Sequence, residues 1–472
     1  MLRLRYYRMR SNPLGPFSFY REAVAIALPV MLQQLIMSMV SLIDNFMVAG
    51  LGDASMAAVN VSNQLNFIFI VVVNTICQAG GIYLAQFRGA GDQAGMQHAY
   101  RFKVIFAFIA ACLYFALCWL IPHRMLAMMT MGNDAQEEII RIGTSYMRLI
   151  SFTLVPLALS AAIGTSFREI ARPTIPLFIS AAATLVNTAG NWLLIYGNLG
   201  APRLEVPGAA AATIIARIFE LTVFIVYLQK AKAPFYVEFR KIVHIHKRLI
   251  REILSRSGMI FVSELSWVSS ETIMTALYNG RGGAEVVAGM AAGWTIANIF
   301  FLLFGGIWTT TTVIVGGSLG AGKLDEARLK ARWIKSGSIA AGIIIAVLGA
   351  AASTLLIPLV FSNLSAGARG ISLGLIFVIL AYLPLWSLLN AQFAISRSGG
   401  DTALGMYTDL SVNTLLFVPG AFILALATSL PPVTMFGILK LTDIVKYFIA
   451  RHFLKKERWV KNLTGTMDRQ EA

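Results

Sequence analysis

Four carboxylates lie within long apolar stretches of the sequence: Asp44, Glu264, Glu271 and Asp409. An ionised side chain in hydrocarbon costs at least about 2.5–3.5 kcal/mol on insertion scales, so it persists only where it lines a cavity, pairs or is neutral. The charge of a carboxylate can be satisfied in turn by H⁺, by Na⁺ or by a cationic substrate. These four residues are therefore candidates for coupling a cation to a transport cycle.

One of these stretches carries two of the acids at helical spacing. Glu264 and Glu271 are seven residues apart, so they stack on one helix face two turns distant. Three further side chains continue that face: Trp267, Thr275 and Tyr278. Such a stripe suits organic cations through charge and cation–π attraction. Asp409 is expected at a similar depth in a later stretch. A purely structural polar network fits the same pattern, and both interpretations stay open.

The first half of the chain has fewer ionisable groups within its apolar stretches. Asp44 lies near the end of the first stretch, where an ordinary interfacial acid is the alternative. Asn187 and Asn191 are spaced i, i+4 and share a face, as cavity residues or as an interhelical hydrogen-bonded pair. Pro29 removes one hydrogen bond from its helix, which predicts a bend near Asp44 or an ordinary membrane-helix proline.

Other charged residues in apolar stretches are spaced to neutralise each other. Arg217 and Glu220 are three residues apart on one predicted helix. Asp443 lies three residues from both Lys440 and Lys446. We expect both groups to be self-neutralising rather than functional.

The elements that position these residues must be membrane helices. Hydrophobic residues make up 57% of the 472 and charged residues 13%, against about 25% charged in soluble domains. This composition excludes a soluble enzyme, a disordered scaffold and a disulfide-stapled secreted domain. Because a helix needs about 20 apolar residues to cross a bilayer, the sequence predicts an all-α integral membrane fold with twelve spans. Their approximate limits are 22–46, 55–84, 102–121, 140–163, 174–196, 207–228, 253–279, 285–318, 335–361, 370–396, 403–427 and 432–453.

Basic residues are distributed unevenly between the loops on the two sides of these spans. Of the 39 Lys and Arg residues, 30 fall on the side that holds both termini. This bias predicts a multi-pass protein of the plasma (inner) membrane with both termini in the cytoplasm. It also accounts for the net charge of +16, so no nucleic-acid partner is expected. The basic N-terminus lacks a short cleavable apolar region, and we expect a retained first span.

The two halves of the chain resemble each other at one offset. Gly52, Gly89-Ala90-Gly91 and Arg101 recur 231 residues later as Gly283, Gly320-Ala321-Gly322 and Arg332. A fixed offset predicts duplication, although polytopic proteins often have glycine-rich loops. The polar segment between the halves predicts an N-lobe of 1–229, a basic linker of 230–251 and a C-lobe of 252–472. Six spans per half make a parallel repeat, as in alternating-access transporters.

Three patterns that resemble cofactor or metal sites are interpreted as structural. Residues 317–324 fit a phosphate-binding loop except that Leu324 replaces its Ser or Thr. His244 and His246 lie in the basic linker without acidic or thiol neighbours. The three cysteines lie in apolar stretches and are expected to be buried thiols. No cofactor is expected beyond H⁺ or Na⁺ as the coupling ion, and no metal beyond a possible Na⁺ at Asp44.

Several motifs resemble the multidrug and toxic compound extrusion (MATE) family over nearly the whole chain. The first half carries LIDNFMV at 42–48, AQFRGAG at 85–91 and NTAGNWLLIYG at 187–197. The second half carries ELSW at 264–267 and RSGGDT at 397–402. The resemblance implies two six-helix lobes that form a V, whose cleft faces the cytoplasm and the outside in turn. It also implies export of amphipathic, often cationic compounds in exchange for Na⁺ or H⁺.

The resemblance also implies roles for particular residues. Asp44 matches the family's first-helix acid, and Asn187 with Asn191 matches a pair placed in the N-lobe cavity. The sequence departs from the Na⁺-coupled branch at the tenth span, where Trp386 follows Tyr382 by one turn in place of an acid. That departure puts a C-lobe Na⁺ site in doubt and favours H⁺ mildly. Tyr382 and Trp386 are nevertheless expected to line the cavity.

The sequence therefore favours a transporter over an enzyme. The hypothesis is a monomeric secondary antiporter that exports amphipathic, cationic organic compounds or metabolites in exchange for H⁺ or Na⁺. Coupling ions and substrate would favour opposite-facing states of an alternating-access cycle. The alternative is a flippase for lipid-linked precursors on a related fold. Its phosphate-bearing substrate needs several Arg or Lys in the cavity, and only Arg217 lies well inside a predicted span.

Overall fold

The computed structural model describes residues 14–49, 53–131 and 135–466. Twelve long helical elements, α1 to α12, lie within these ranges, and no strand occurs in them. Their bounds are Phe17–Ala49, Asp53–Ala90, Gln93–Leu120, Gln136–Glu169, Thr174–Tyr196, Val206–Ala231, Lys247–Asn279, Ala284–Gly320, Leu324–Val360, Ala366–Ser398, Ala403–Ala427 and, for α12, the two segments Pro432–Lys440 and Thr442–Lys455. The predicted all-α, twelve-helix architecture is confirmed. A short helix, Pro122–Met129, lies between α3 and α4.

Ten of these helices are long and apolar enough to cross a membrane within the described ranges. The two that fall short are α7 and α12. The sequence of α7 includes Arg251, Arg256, Glu264 and Glu271, and α12 is divided into segments of 9 and 14 residues. The same two helices carry most of the charged residues of the site described below.

Several helices extend beyond the predicted spans into charged sequence. The predicted ninth span starts at residue 335, whereas α9 starts at Leu324 with Asp325 and Glu326 in its first turn. Acids in a first turn interact favourably with the helix dipole. α3 starts at Gln93, where the Asp92 side chain accepts a hydrogen bond from the Gly95 amide at 2.8 Å and caps the helix. The observed helices are therefore longer than the predicted spans. Capping residues determine where a helix begins, whereas hydropathy marks only the apolar part of the helix.

The structure divides into two compact units. Among the described residues, the N unit comprises 32–49, 53–84, 92–131 and 135–257, and the C unit comprises 14–31, 85–91 and 258–466. The division within α1 falls between Met31 and Leu32, two residues after Pro29. The lobe limits given by the sequence stay a prediction.

The repeat is visible in backbone conformation and packing. Gly91 and Gly322, which are equivalent at the offset of 231, both adopt the left-handed conformation, with φ of +74° and +72°. Within the C unit, the end of α2 crosses the end of α8 so closely that only glycine fits. A Cβ at Gly89 would meet the Gly317 carbonyl, and a Cβ at Gly320 would meet the Gln86 carbonyl. The two contacts are reciprocal under the offset, as in an interface about a two-fold axis. Gly52 lies outside the described residues.

Candidate functional site

Five helices of the C unit surround a cavity of about 540 Å³, here called the C cavity. α7, α8, α10, α11 and α12 contribute its lining. Nine aromatic side chains line it: Trp267, Tyr278, Trp294, Phe301, Phe304, Trp308, Trp386, Phe393 and Phe417. The cavity is therefore apolar over most of its wall, and its polar groups include seven charged side chains. Its volume suits a small organic molecule.

Two of the predicted acids meet at one end of the C cavity. Arg397 pairs with Glu264 at 3.0 Å and donates to Ser263 Oγ at 3.3 Å. Ser263 in turn donates to Asp409 at 2.5 Å. The Arg397 guanidinium also lies over the Trp308 ring, 4.6 Å from its centroid. Glu264 and Asp409 thus share a hydrogen-bonded cluster that Arg397 holds together.

The remaining charges of the C cavity come from α7 and α12. Lys440 pairs with Glu271. Lys446 lies between two carboxylates, 3.4 Å from Asp409 and 3.5 Å from Asp443. Trp386 Nε1 donates to Asp443 at 2.8 Å. Four acids and three bases therefore line one cavity, so the positive charges of the bases do not neutralise all of the carboxylates.

Two of the four acids are more exposed to solvent than the bases, whereas Asp409 and Asp443 are about as buried as the bases. The side chains of Arg397, Lys440 and Lys446 are 4%, 7% and 8% exposed, whereas Glu264 and Glu271 are 31% and 21% exposed. A solute entering the C cavity therefore meets carboxylates first. The formal charge of the lining is −1 when all seven groups are ionised.

The N unit holds a smaller polar pocket of about 90 Å³, here called the N pocket. Asp44 is its carboxylate, and Asn191 Nδ2 donates to Asp44 Oδ1 at 2.6 Å. The Asn187 amide forms hydrogen bonds with both Asp44 and Thr213: its nitrogen donates to Asp44 Oδ2 at 3.0 Å, and its oxygen accepts from the Thr213 hydroxyl at 3.2 Å. Neutral amides thus hold this carboxylate, in contrast to the ion pairs of the C cavity.

A second hydrogen-bonded chain leads away from the N pocket within the N unit. Arg217, which lines the pocket, pairs with Glu220 at 2.7 Å, as the sequence predicted. Ser180 donates to Glu220 at 2.7 Å and accepts from Gln33 at 2.8 Å. Arg168 donates to Gln33 at 2.8 Å. The pair is therefore part of a network that joins α1, α4, α5 and α6.

The other candidates from the sequence lie in or next to these two sites. Trp267, Thr275, Tyr278 and Trp386 line the C cavity. Tyr382 donates to the Gly437 carbonyl at 2.9 Å and stacks on Trp386 at a centroid distance of 5.8 Å. Pro29 is the exception: it lies inside α1, a continuous helix from Phe17 to Ala49, and lines neither site. The structure brings the other residues together in two sites, and the roles of all of them stay predictions.

Two sequence-based expectations about basic residues are wrong. Lys440 pairs with Glu271 across the C cavity instead of with Asp443, so the charges of α12 do not neutralise each other alone. Arg397, assigned to a loop, is nearly buried in the cavity wall. Several basic side chains therefore reach a substrate-sized cavity, contrary to the argument that only Arg217 lies inside a span. The i, i+3, i+6 spacing of Lys440, Asp443 and Lys446 was a signal of this polar face.

Sequence comparisons match both halves of the chain to one family. The model of the MatE family matches residues 29–193 and again 260–423, two matches whose starts differ by the same 231 residues. The chain is 29% identical to the uncharacterized transporter YisQ of Bacillus subtilis over 60% of this chain and 61% of that protein. It is 27% identical to the probable multidrug resistance protein NorM of Photorhabdus laumondii over 88% of this chain and 90% of that protein.

Solved structures share the fold at low sequence identity. The Vibrio cholerae transporter VcmN, in a mutant form, superposes with a TM-score of 0.82 at 15% identity, over 94% of this chain and 98% of that chain. A MOP superfamily transporter from Pyrococcus furiosus superposes with a TM-score of 0.80 at 16% identity, over 95% and 97% of the two chains. These similarities establish the architecture of the chain.

Proposed function

Because the chain belongs to the MATE family of transporters, we propose that it is a secondary antiporter that exports amphipathic, cationic organic compounds in exchange for H⁺ or Na⁺. It is a multi-pass membrane transporter and not an enzyme. We also propose that it lies in the plasma (inner) membrane with both termini in the cytoplasm. The bias of the basic residues supports that orientation.

One observation carries the substrate class: the C cavity combines an aromatic wall with carboxylates at its more exposed face. Glu264 and Glu271 attract a cation, and rings such as Trp267 and Trp386 offer cation–π contact to it. The apolar remainder of the wall accommodates the body of an amphipathic compound. This chemistry supports organic cations over sugars or other neutral polar solutes.

The N pocket supports the coupling role. It is small enough for a single ion, and among the described residues the hydrogen bonds to Asp44 come from the neutral amides of Asn187 and Asn191, while Arg217 lines the same pocket. H⁺ can bind the carboxylate directly. Na⁺ prefers oxygen ligands, which the Asp44 carboxylate, the Thr213 hydroxyl and an asparagine carbonyl oxygen supply. Binding of either ion there, and of substrate to the C cavity, favours opposite-facing states of the alternating-access cycle.

A second candidate, transport of an anionic or phosphate-bearing amphiphile, is favoured by a specific observation. Arg397, Lys440 and Lys446 all line the C cavity, which removes the sequence argument against a lipid-linked substrate. For the Pyrococcus furiosus transporter, a reversed polarity of the binding pocket is described as suggesting a different function. The first candidate stands ahead because the bases of this chain lie deeper than Glu264 and Glu271.

The deciding experiment measures efflux from loaded proteoliposomes while pH and sodium gradients are imposed separately. A fluorescent organic cation is the cargo, and a phosphate-bearing lipid is the competitor. We expect gradient-driven efflux that Asp44→Asn abolishes and that Glu264→Gln reduces. The matched control is Glu138→Gln, which removes an acid that is 56% exposed on α4.

The outcomes separate the candidates. Efflux that follows only one gradient identifies the coupling ion. Strong inhibition by the phosphate-bearing lipid, with transport of that lipid itself, supports the second candidate. Efflux that neither gradient drives, from protein that is folded and correctly inserted, contradicts antiport.

A further inference from the structure

The Lys440 ammonium lies in a cage made of three aromatic rings and one carboxylate. It is 5.7 Å from the centroid of Trp386 and 5.0 Å from those of Phe417 and Phe436. The carboxylate of Glu271 completes the cage through an ion pair. Rings and an acid around one cation are the arrangement by which proteins recognise quaternary ammonium ligands. Here the cation belongs to the protein itself.

Local departures from regular helix place the parts of this cage. Lys440 is the last residue of the first segment of α12, directly before the break at Leu441. Phe417 ends a π-helical turn within α11, Asn413–Phe417. Such turns add a residue to the helix and commonly occur at functional sites. Phe436 precedes Lys440 by one turn and is fully buried, so it forms the fixed back wall.

The other two bases of the C cavity are held more firmly. Lys446 is shared between Asp409 and Asp443. Arg397 pairs with Glu264 and also donates to Ser263, and its planar guanidinium lies over Trp308. Lys440 has a single acidic partner among the described residues, on a flexible four-carbon side chain. It is therefore the cation that an incoming ligand displaces most easily.

We propose that Lys440 is a tethered competitor that occupies the ammonium-binding subsite of the C cavity and thereby sets which cations the protein accepts. The inference rests on the proposed function and names its ammonium subsite. A compound with an amine or quaternary ammonium head must displace Lys440 from Glu271 before its head enters the cage. The cost of displacing Lys440 thus excludes monocations that bind weakly. The protein accepts monocations whose apolar part binds the cavity wall strongly enough to offset that cost.

The expected size of the effect follows from occupancy. When the binding-competent state is only a fraction of the population, the apparent dissociation constant rises by the inverse of that fraction. If Lys440 leaves the cage about one tenth of the time, removing its charge tightens ammonium binding about tenfold. The effect requires Glu271, because the carboxylate is the group released by the loss of Lys440.

Equilibrium dialysis of radiolabelled choline against purified full-length protein in detergent tests this inference. We expect Lys440→Gln and Lys440→Met to bind choline at least about tenfold more tightly than the wild type. Lys440→Arg keeps a tethered cation and should resemble the wild type. Lys455→Gln, which removes an exposed lysine from the same helix, is the matched control. The double variant Glu271→Gln with Lys440→Gln should lose the gain.

Two results would overturn the inference. One is a Lys440→Gln protein whose circular dichroism spectrum shows that it is folded and that binds choline no more tightly than the wild type. The other is equal tightening for dimethylbutanol, the uncharged isostere of choline, which would identify an apolar void instead of a cation site. Because dialysis needs no gradient, this result is independent of transport. The efflux experiment can fail while dialysis confirms the role of Lys440, and dialysis can contradict that role while efflux is confirmed.

A chemical variant separates the loss of the ammonium from the loss of the side chain. Lys440→Cys is made in a background in which Cys112 is replaced by Ser, because Cys112 is exposed, contrary to the sequence-based expectation, while Cys77 and Cys118 are buried as expected. Reaction with aminoethyl methanethiosulfonate forms a disulfide and restores a tethered ammonium. Choline affinity should then fall to the wild-type level, whereas the uncharged methyl reagent should leave it high. Equal affinities after both reagents would contradict competition by charge.

Discussion

The C cavity and the N pocket represent two ways of keeping carboxylates inside a membrane protein. In the C cavity, Glu271 and Asp409 face lysines supplied by α12. In the N pocket, Asp44 accepts hydrogen bonds from the amides of Asn187 and Asn191. An ion entering the first site must compete with internal cations, whereas an ion entering the second meets a carboxylate held by neutral donors. Two halves of one duplicated frame therefore differ in chemistry and not in architecture.

The largest expected effect comes from a pair that belongs to neither site. Lys103 is fully buried in the N unit and donates to Ser166 at 2.9 Å and to both carboxylate oxygens of Glu169 at 3.0 and 2.8 Å. Lys103→Met leaves Glu169 charged and enclosed, which should cost about 3–5 kcal/mol of unfolding free energy. Lys440→Met should cost less, because solvent reaches Glu271 in the C cavity.

Unfolding in SDS, followed by circular dichroism, measures both variants. Lys241→Met is the control, since Lys241 and Glu238 form an exposed pair worth at most about 1 kcal/mol. Equal losses for the buried and the cavity lysine would contradict the distinction between an enclosed pair and one open to solvent.

The next effect tests the frame that the two halves share. Gly320→Ala places a Cβ against the Gln86 carbonyl, and Gly89→Ala places one against the Gly317 carbonyl. Each should cost about 1–3 kcal/mol by overpacking, and the two losses should be similar because the contacts are reciprocal. Gly317→Ala, on the same helix with open space beside it, should be tolerated. Thermal unfolding of the purified variants measures this, and a clear inequality between the first two would contradict a symmetric crossing.

A functional comparison of one acid from each site comes third. Asp44→Asn removes the one carboxylate among the described residues that line the N pocket and should reduce gradient-driven efflux at least about tenfold, within the usual range of coupling energies. Asp409→Asn leaves Lys446 paired with Asp443 and should reduce efflux less than about threefold. Initial rates from proteoliposomes under an imposed gradient decide this. The reverse order would move the coupling ion to the C cavity.

Much of this organisation was predictable from the sequence, because apolar length and repeat offset are local properties. The twelve helices follow from runs of about 20 apolar residues, and the positive-φ turns at Gly91 and Gly322 follow from one repeated motif. Glu264 and Glu271 were identified because their helical spacing is regular. The pairing of Lys440 with Glu271 was not predictable, because it joins residues 169 apart in the chain.

Buried basic residues were missed for a related reason. Lys103 and Arg397 lie at the edges of the predicted spans 102–121 and 370–396 and are counted among the 30 basic residues on the side of the termini. Both helices continue past that edge, and the side chains turn into the protein. Hydropathy does not depend on where a side chain points, so it does not distinguish a basic residue at the end of a span from one in a cavity. Only the packing of α3 and α10 against their neighbours shows the difference.

The last comparison distinguishes the two sites by their hydrogen bonds alone, and its Thr213→Val variant has the smallest expected effect on stability. Thr213→Val removes the hydroxyl that bonds the Asn187 amide at 3.2 Å, a neutral pair worth about 0.5–1.5 kcal/mol. Ser263→Ala removes the donor to Asp409 at 2.5 Å, and bonds to a charged group are worth about 1.5–3 kcal/mol.

Unfolding free energies should therefore fall less for Thr213→Val than for Ser263→Ala, with Thr222→Val, on an exposed face of α6, as the control. Thr213→Val should also weaken ion dependence slightly, since Asn187 then holds Asp44 less rigidly. Ser263→Ala should leave the ion dependence of efflux unchanged, because Lys446 compensates the charge of Asp409. Matching shifts in both variants would mean that the internal cations of the C cavity do not isolate its carboxylates from the coupling ion.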